Sequence, residues 1–209
     1  MLLPFLLSVV IIKHKPLLLS MLKKGKTLIY AIWIGLLITL VVAYILNPNI
    51  ITAEYLIAFI QKFQNEMLLV YTLLTLIRGF FLIPSTPFVI GGGLLFPDQL
   101  LLVLLISMAG VLFSATSLYF FSDLLGFSTY LEKKFPSKIP QWKKKLDTPK
   151  STLLVAGWSI FPFVPTDIIC YVTGILKTPF KNVLLGVFIG EAILCSLYVY
   201  FGAAIFNLI

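Results

Sequence analysis

Ile83-Pro84-Ser85-Thr86-Pro87 interrupts one long apolar run, and Val164-Pro165-Thr166-Asp167 interrupts another. The first break leads to Gly93-Leu94-Leu95, the second to Gly174-Ile175-Leu176. The same 81 positions separate Pro84 from Pro165 and Gly93 from Gly174, and a hydroxyl residue follows each of the two prolines. Proline lacks an amide hydrogen and its ring clashes with the preceding turn, so Pro84, Pro87, Pro162 and Pro165 stop helices where a membrane helix would otherwise run on. Matching Pro/Gly-interrupted segments in two halves of an apolar chain point to a transporter-like site near the bilayer midplane.

The surrounding composition sets the class. The chain has 209 residues, 60% hydrophobic and only 11% charged, with a mean hydropathy of +1.05. That is too little charge to cover a soluble domain, so the sequence reads as one integral membrane domain. The net charge of +8 comes from lysines in loops beside apolar segments, where they set topology and meet anionic headgroups. No aromatic-interleaved basic patch marks a nucleic-acid partner. Cys170 and Cys195 both lie in apolar context and read as small core residues, and His14 is the single histidine. No zinc or iron site, and no cofactor, is expected from such a set. The phosphate-loop, nucleophile-elbow, dinucleotide and zinc-protease motifs are missing, so no enzyme is expected.

Helix lengths then organise the chain. Residues 1–27 are a basic N-terminal segment, and Met21 with Lys23, Lys24 and Lys26 resembles an ordinary start. Residues 1–20 then read as an upstream extension, or as an interfacial or signal-like segment too short to span. Leu28–Leu46 makes about 28 Å of helix and crosses once, its basic flank cytoplasmic. Ile50–Glu66 alternates Ile51, Tyr55, Ile57, Ala58 and Phe59 with polar residues, which predicts an amphipathic helix on the outer surface. Met67–Leu82 offers about 24 Å and Phe88–Phe96 about 14 Å, each short of a span of roughly 30 Å. The expectation is a re-entrant hairpin over 67–96, followed by a full span at Gln99–Leu125. The polar loop 126–150 carries seven lysines and is placed in the cytoplasm. A second hairpin over 151–176 and a last span within 181–209 complete residues 50–209. The expected fold is all-α and integral to the membrane: an inverted repeat of hairpin and span, preceded by one transmembrane helix and one surface helix.

Arg78, Asp123, Asp167 and Glu191 are the ionisable residues within or beside these apolar segments. Each costs about 2.5–3.5 kcal/mol at a helix centre on insertion scales, so each is expected to face protein or water. If the two hairpin tips meet, Arg78 and Asp167 pair there with Glu191 alongside. That constellation reads as a hydrophilic centre, with Arg78 contacting phosphate and the carboxylates holding or relaying protons. The alternative reading is a buried pair that merely fixes the fold. Asp123 sits near the end of its span and reads as structural. The breaks at Pro84, Pro87, Pro162 and Pro165 serve either as hairpin shape or as carbonyl and helix-end groups for a ligand, with Thr166 beside the second. Gly91, Gly92, Gly93 and Gly174 read as points of close helix approach.

Arg78, Ile83-Pro84-x-x-Pro87 and Gly92-Gly93-x-x-Phe96 resemble the first signature of the DedA-like, SNARE-associated Golgi protein (VTT-domain) family. Phe161-Pro162-Phe163-Val164-Pro165-Thr166-Asp167-Ile168-Ile169-x-Tyr171-x-x-Gly174 is similar to its second, and Phe180, Gly186, Gly190 and Tyr200-x-Gly202 also fit. The resemblance spans about residues 50–205. It implies two re-entrant hairpins in inverted symmetry and work on lipids: phospholipid scrambling, recycling of polyprenyl-phosphate carriers, or proton-dependent transport. Two arginines frequent in the family are replaced here, by Trp158-Ser159 before the second break and by Asp123 near the end of the middle span.

The leading expectation is therefore a lipid flippase or scramblase whose partners are membrane lipids. A proton-coupled carrier of a small solute or ion is the alternative, and a non-transporting membrane scaffold the third. Lysine outnumbers arginine fifteen to one, which points to an AT-rich genome and a prokaryotic plasma membrane. The lipid, the direction of movement and the oligomeric state are not encoded in any readable motif.

Overall fold

The computed structural model describes residues 52–81, 83–124, 132–162 and 164–206, with positions 32, 35–36, 38–39 and 42–47 nearer the N-terminus. The segment 1–27 lies outside the described residues. The chain divides into two units, Met1–Val42 and Ala43–Ile209. In the first, the described positions are helical and fall within the expected span Leu28–Leu46.

In the second unit, the described secondary structure is entirely helical. Helix α1 (Ala53–Ile60) starts where the Thr52 hydroxyl accepts the Tyr55 amide at 3.3 Å. A 3-10 stretch, Gln61–Glu66, follows and kinks at Gln64, whose φ is 38°. Helix α2 (Met67–Ile77) tightens into a 3-10 turn at Arg78–Phe81 and stops before Pro84. Helix α3 (Thr86–Leu95) carries Pro87 in its first turn, where a missing amide hydrogen costs nothing. After a short turn at Pro97–Gln99, helix α4 runs from Leu100 to Leu124. The lysine-rich segment contains helix α5 (Lys138–Leu146). Helix α6 (Lys150–Ile160) breaks at Phe161–Pro165, helix α7 (Thr166–Ile175) resumes, and helix α8 (Phe180–Phe206) closes the unit.

The same order of elements thus occurs twice: an eleven-residue arm, a proline break, a ten-residue helix and a long helix. Each arm packs on the long helix of its own half, α2 on α4 and α6 on α8. The short helices exchange partners, α3 lying against α8 and α7 against α4. This exchange brings the two breaks together. Glycines permit the close contacts. A Cβ at Gly174 would lie 2.1 Å from Ser122 Oγ and 2.4 Å from the Tyr119 carbonyl on α4, whereas one at Gly93 would lie 3.1 Å from the Val199 carbonyl on α8.

Pro97–Ser122 and Phe180–Gly202 are long and apolar enough to cross a membrane, yet only 39% and 44% of their most apolar windows are buried. A soluble core helix of that hydropathy would be mostly buried. Here Leu101, Leu105, Phe188, Ile193 and Phe201 stay exposed, as lipid contact requires.

Helix α1 differs from the surface helix expected at 50–66. Ala53, Leu56 and Ile60 are buried, and the helix packs against α3, while Tyr55 and Phe59 are exposed. The helix has two apolar faces, and the face with the smaller residues fits against the glycines of α3: Leu56 Cδ2 lies 3.4 Å from where a Gly91 Cβ would be.

Candidate functional site

Three charged side chains are buried where the two breaks meet. Arg78 is 3% exposed, Asp167 6% and Glu191 1%. Arg78 follows the last residue of α2, Asp167 sits in the first turn of α7, and Glu191 lies midway along α8. Arg78 Nη1 lies 3.3 Å from Asp167 Oδ2 and donates a second bond to the Ile83 carbonyl at 2.9 Å. That carbonyl is freed because Pro87, four residues on, has no amide hydrogen to offer it. The helix break therefore supplies an acceptor for the cation beside it.

The other Asp167 oxygen accepts a 2.8 Å bond from the Ser114 hydroxyl on α4. The carboxylate also lies at the positive end of α7, which favours an anion. Sequence reading passed over Ser114. Its signal was the spacing of Ser107, Ser114 and Ser122, which places hydroxyls two turns apart on one face of an otherwise apolar helix. All three are buried, and Ser107 shares a 3.0 Å hydrogen bond with the Tyr71 hydroxyl. Ser114 can reach Asp167 because Gly79 makes room: a Cβ there would lie 1.6 Å from Ser114 Oγ.

Glu191 is held apart from the ion pair. Its two oxygens accept from the Thr166 hydroxyl and, at 3.4 Å, from the Cys195 thiol one turn along α8. Thr166 precedes Asp167, so the first residue of α7 bonds one carboxylate and the second carries the other. Among the described residues no ion pair is formed by Glu191. Ser159 is fully buried, and among the described residues its hydroxyl has no hydrogen-bond partner. Among the described residues the Nε of Arg78 is likewise unpartnered.

A cavity of about 130 Å³ opens between the breaks, lined by Arg78, Pro84, Ser85 and Thr86 from the first half and Pro162, Pro165, Thr166 and Asp167 from the second. Thr86 begins α3 and Thr166 begins α7, so two helix N-termini border one cavity that contains a guanidinium. Trp158 Nε1 donates to the Pro165 carbonyl at 3.4 Å and braces the second break. Gly93 and Gly174 sit away from the cavity, at helix contacts, and Pro87 is not among its lining residues. Asp123 is the second-last residue of α4, and its side chain lies outside the described residues. Among the described residues no group of three or more His, Cys, Asp or Glu is arranged to hold a metal ion.

The VTT domain matches residues 83–204, more than half of the chain, and so takes in both breaks, α4, nearly all of α8, Asp167 and Glu191, while beginning five residues after Arg78. No curated protein and no solved structure matches the chain. The family match, the two apolar helices with exposed sides and the paired breaks agree: this chain belongs to the VTT-domain family of DedA-like and SNARE-associated Golgi proteins, and is a membrane protein of that type.

Proposed function

We propose that this protein moves lipids across the bilayer as a flippase or scramblase, acting on phospholipid or polyprenyl-phosphate headgroups. In this reading the two broken segments are re-entrant hairpins of an inverted repeat, entering from opposite faces and meeting at the midplane. The observation that carries it is the cavity between the breaks, which places one guanidinium, three hydroxyl side chains and two helix N-termini around a single space. Those groups suit a phosphate oxyanion. A volume of about 130 Å³ suits a headgroup and leaves acyl chains in the bilayer. Non-helical backbone at that depth is tolerable where it borders protein and a cavity lined by polar groups.

A headgroup phosphate approaching Arg78 competes with Asp167 for the same guanidinium. Release of Asp167 to Ser114 alone would let the cation follow the phosphate, and its return would expel the lipid to the other side. The test is reconstitution in liposomes with a panel of labelled phospholipids and a polyprenyl phosphate. Arg78→Lys and Arg78→Ala should abolish translocation, Lys because a point charge lacks the planar fork. Translocation unchanged in folded Arg78→Lys protein would sink the reading.

A second reading rests on Glu191, a buried carboxylate that forms none of the ion pairs seen. Two carboxylates beside one cation suit a proton-coupled carrier of a small solute or ion. Glu191→Gln should then abolish uptake driven by a pH gradient, and continued normal uptake excludes Glu191 as the coupling group.

A further inference from the structure

Helix α5 lies outside the site just described, and its side chains form a pattern of their own. Ile139, Trp142 and Leu146 recur at intervals of three and four residues, which aligns them along one face of α5, and Phe135 lies in the bend just before the helix. Leu146 is buried, but Phe135 is 40% and Trp142 51% exposed. Lys133, Lys134, Lys138, Lys143, Lys144, Lys145 and Lys150 surround that stripe, against Glu132 and Asp147. Lys145 lies over the Trp142 ring at 5.1 Å, and Lys143 pairs with Glu132, tying the preceding helical turn to α5.

The anchorage of α5 is specific. Helix α5 packs on α6 beyond a turn in which the Thr148 carbonyl and Ser151 hydroxyl each accept from Asn182 Nδ2 at 3.1 Å. Asn182 lies in the first turn of α8. The Tyr119 hydroxyl, near the end of α4, donates to the Thr178 carbonyl just before α8. The ends of three apolar helices therefore converge where α5 is tethered, with Lys177 and Lys181 beside them in sequence.

We propose that α5 docks on the anionic headgroups of the same bilayer, with Trp142 and Phe135 entering the interface and the lysines meeting lipid phosphates. Charge complementarity and the tether at the membrane-helix ends select this occupant. Tryptophan with flanking lysines is suited to the headgroup level, and a short amphipathic helix held there loses little freedom on contact.

The test uses the full chain in nanodiscs, with Trp33→Phe and Trp158→Phe leaving Trp142 as the single tryptophan. Replacing about one third of the phosphatidylcholine by phosphatidylglycerol should raise quenching of Trp142 by brominated lipid about twofold and shift its emission to the blue. Salt at about 1 M should reverse the change. Lys138→Gln, Lys143→Gln, Lys144→Gln and Lys145→Gln together should remove the dependence on anionic lipid while the protein still elutes as a single species. Quenching that is the same in both nanodiscs overturns the proposal. So does an emission shift produced only by soluble polyglutamate or RNA, which would assign the face to an acidic macromolecule.

Discussion

The two halves of the bundle use the same order of elements, yet they answer the same burial problem differently. In the first half the arm ends in Arg78, whose charge is met by the freed Ile83 carbonyl and by Asp167 from the other half. In the second half the arm carries Ser159, a fully buried hydroxyl without a partner among the described residues, and the buried charge is Glu191 on the long helix. A cation serves one half and a hydroxyl with a thiol serves the other. The two halves thus share shape, through breaks and glycines, while their buried polar groups are placed differently.

The largest effect is expected from removing the cation. Arg78→Ala leaves Asp167 buried without a counter-charge and should destabilise by about 3–5 kcal/mol, read as a lower midpoint in detergent unfolding. Combining it with Asp167→Ala should recover most of that loss, because no uncompensated charge remains. If the double variant is no more stable than the single, the pair is not what holds the halves together. Next come the glycines. Gly174→Ala meets a backbone carbonyl at 2.4 Å and should cost about 1–3 kcal/mol, whereas Gly93→Ala at 3.1 Å should cost clearly less. Equal losses would mean that the two exchanged contacts are equally tight.

The smallest effect is expected at Ser159. Ser159→Ala removes an unpaired buried hydroxyl and should change stability by less than about 1 kcal/mol, toward greater stability. A loss comparable to that of Arg78→Ala would show that both arms carry equivalent polar interactions. Glu191→Gln keeps an oxygen to accept from Thr166 and discards a buried charge. The fold should survive that change, so a loss of gradient-driven transport can be read as function.

Much of this architecture was legible locally. The helix boundaries of both broken segments follow from proline chemistry, and the long helices from runs of apolar residues, neither of which needs knowledge of distant neighbours. The burial of Arg78, Asp167 and Glu191 was legible for the same reason, since an ionisable group inside an apolar segment has nowhere else to go. The partners of those charges were less so. Ser114 looks like any small residue in a membrane helix until α7 is placed against α4. The packing of α1 was not legible either: Ala53, Leu56 and Ile60 turn inward because that face fits against the glycines of α3, a neighbour that the local pattern does not name.

The amino-acid order by itself thus determined the class of protein, the two breaks and the identity of the buried charges, because proline geometry and transfer from water act on each residue where it stands. How the charges are shared follows from packing: Arg78 with Asp167, Asp167 with Ser114, Glu191 with Thr166 and Cys195. All but the last of these bonds join different helices. The longest of them spans 89 positions of chain, and its formation depends on the exchange of short helices between the halves, a packing outcome that no local pattern records.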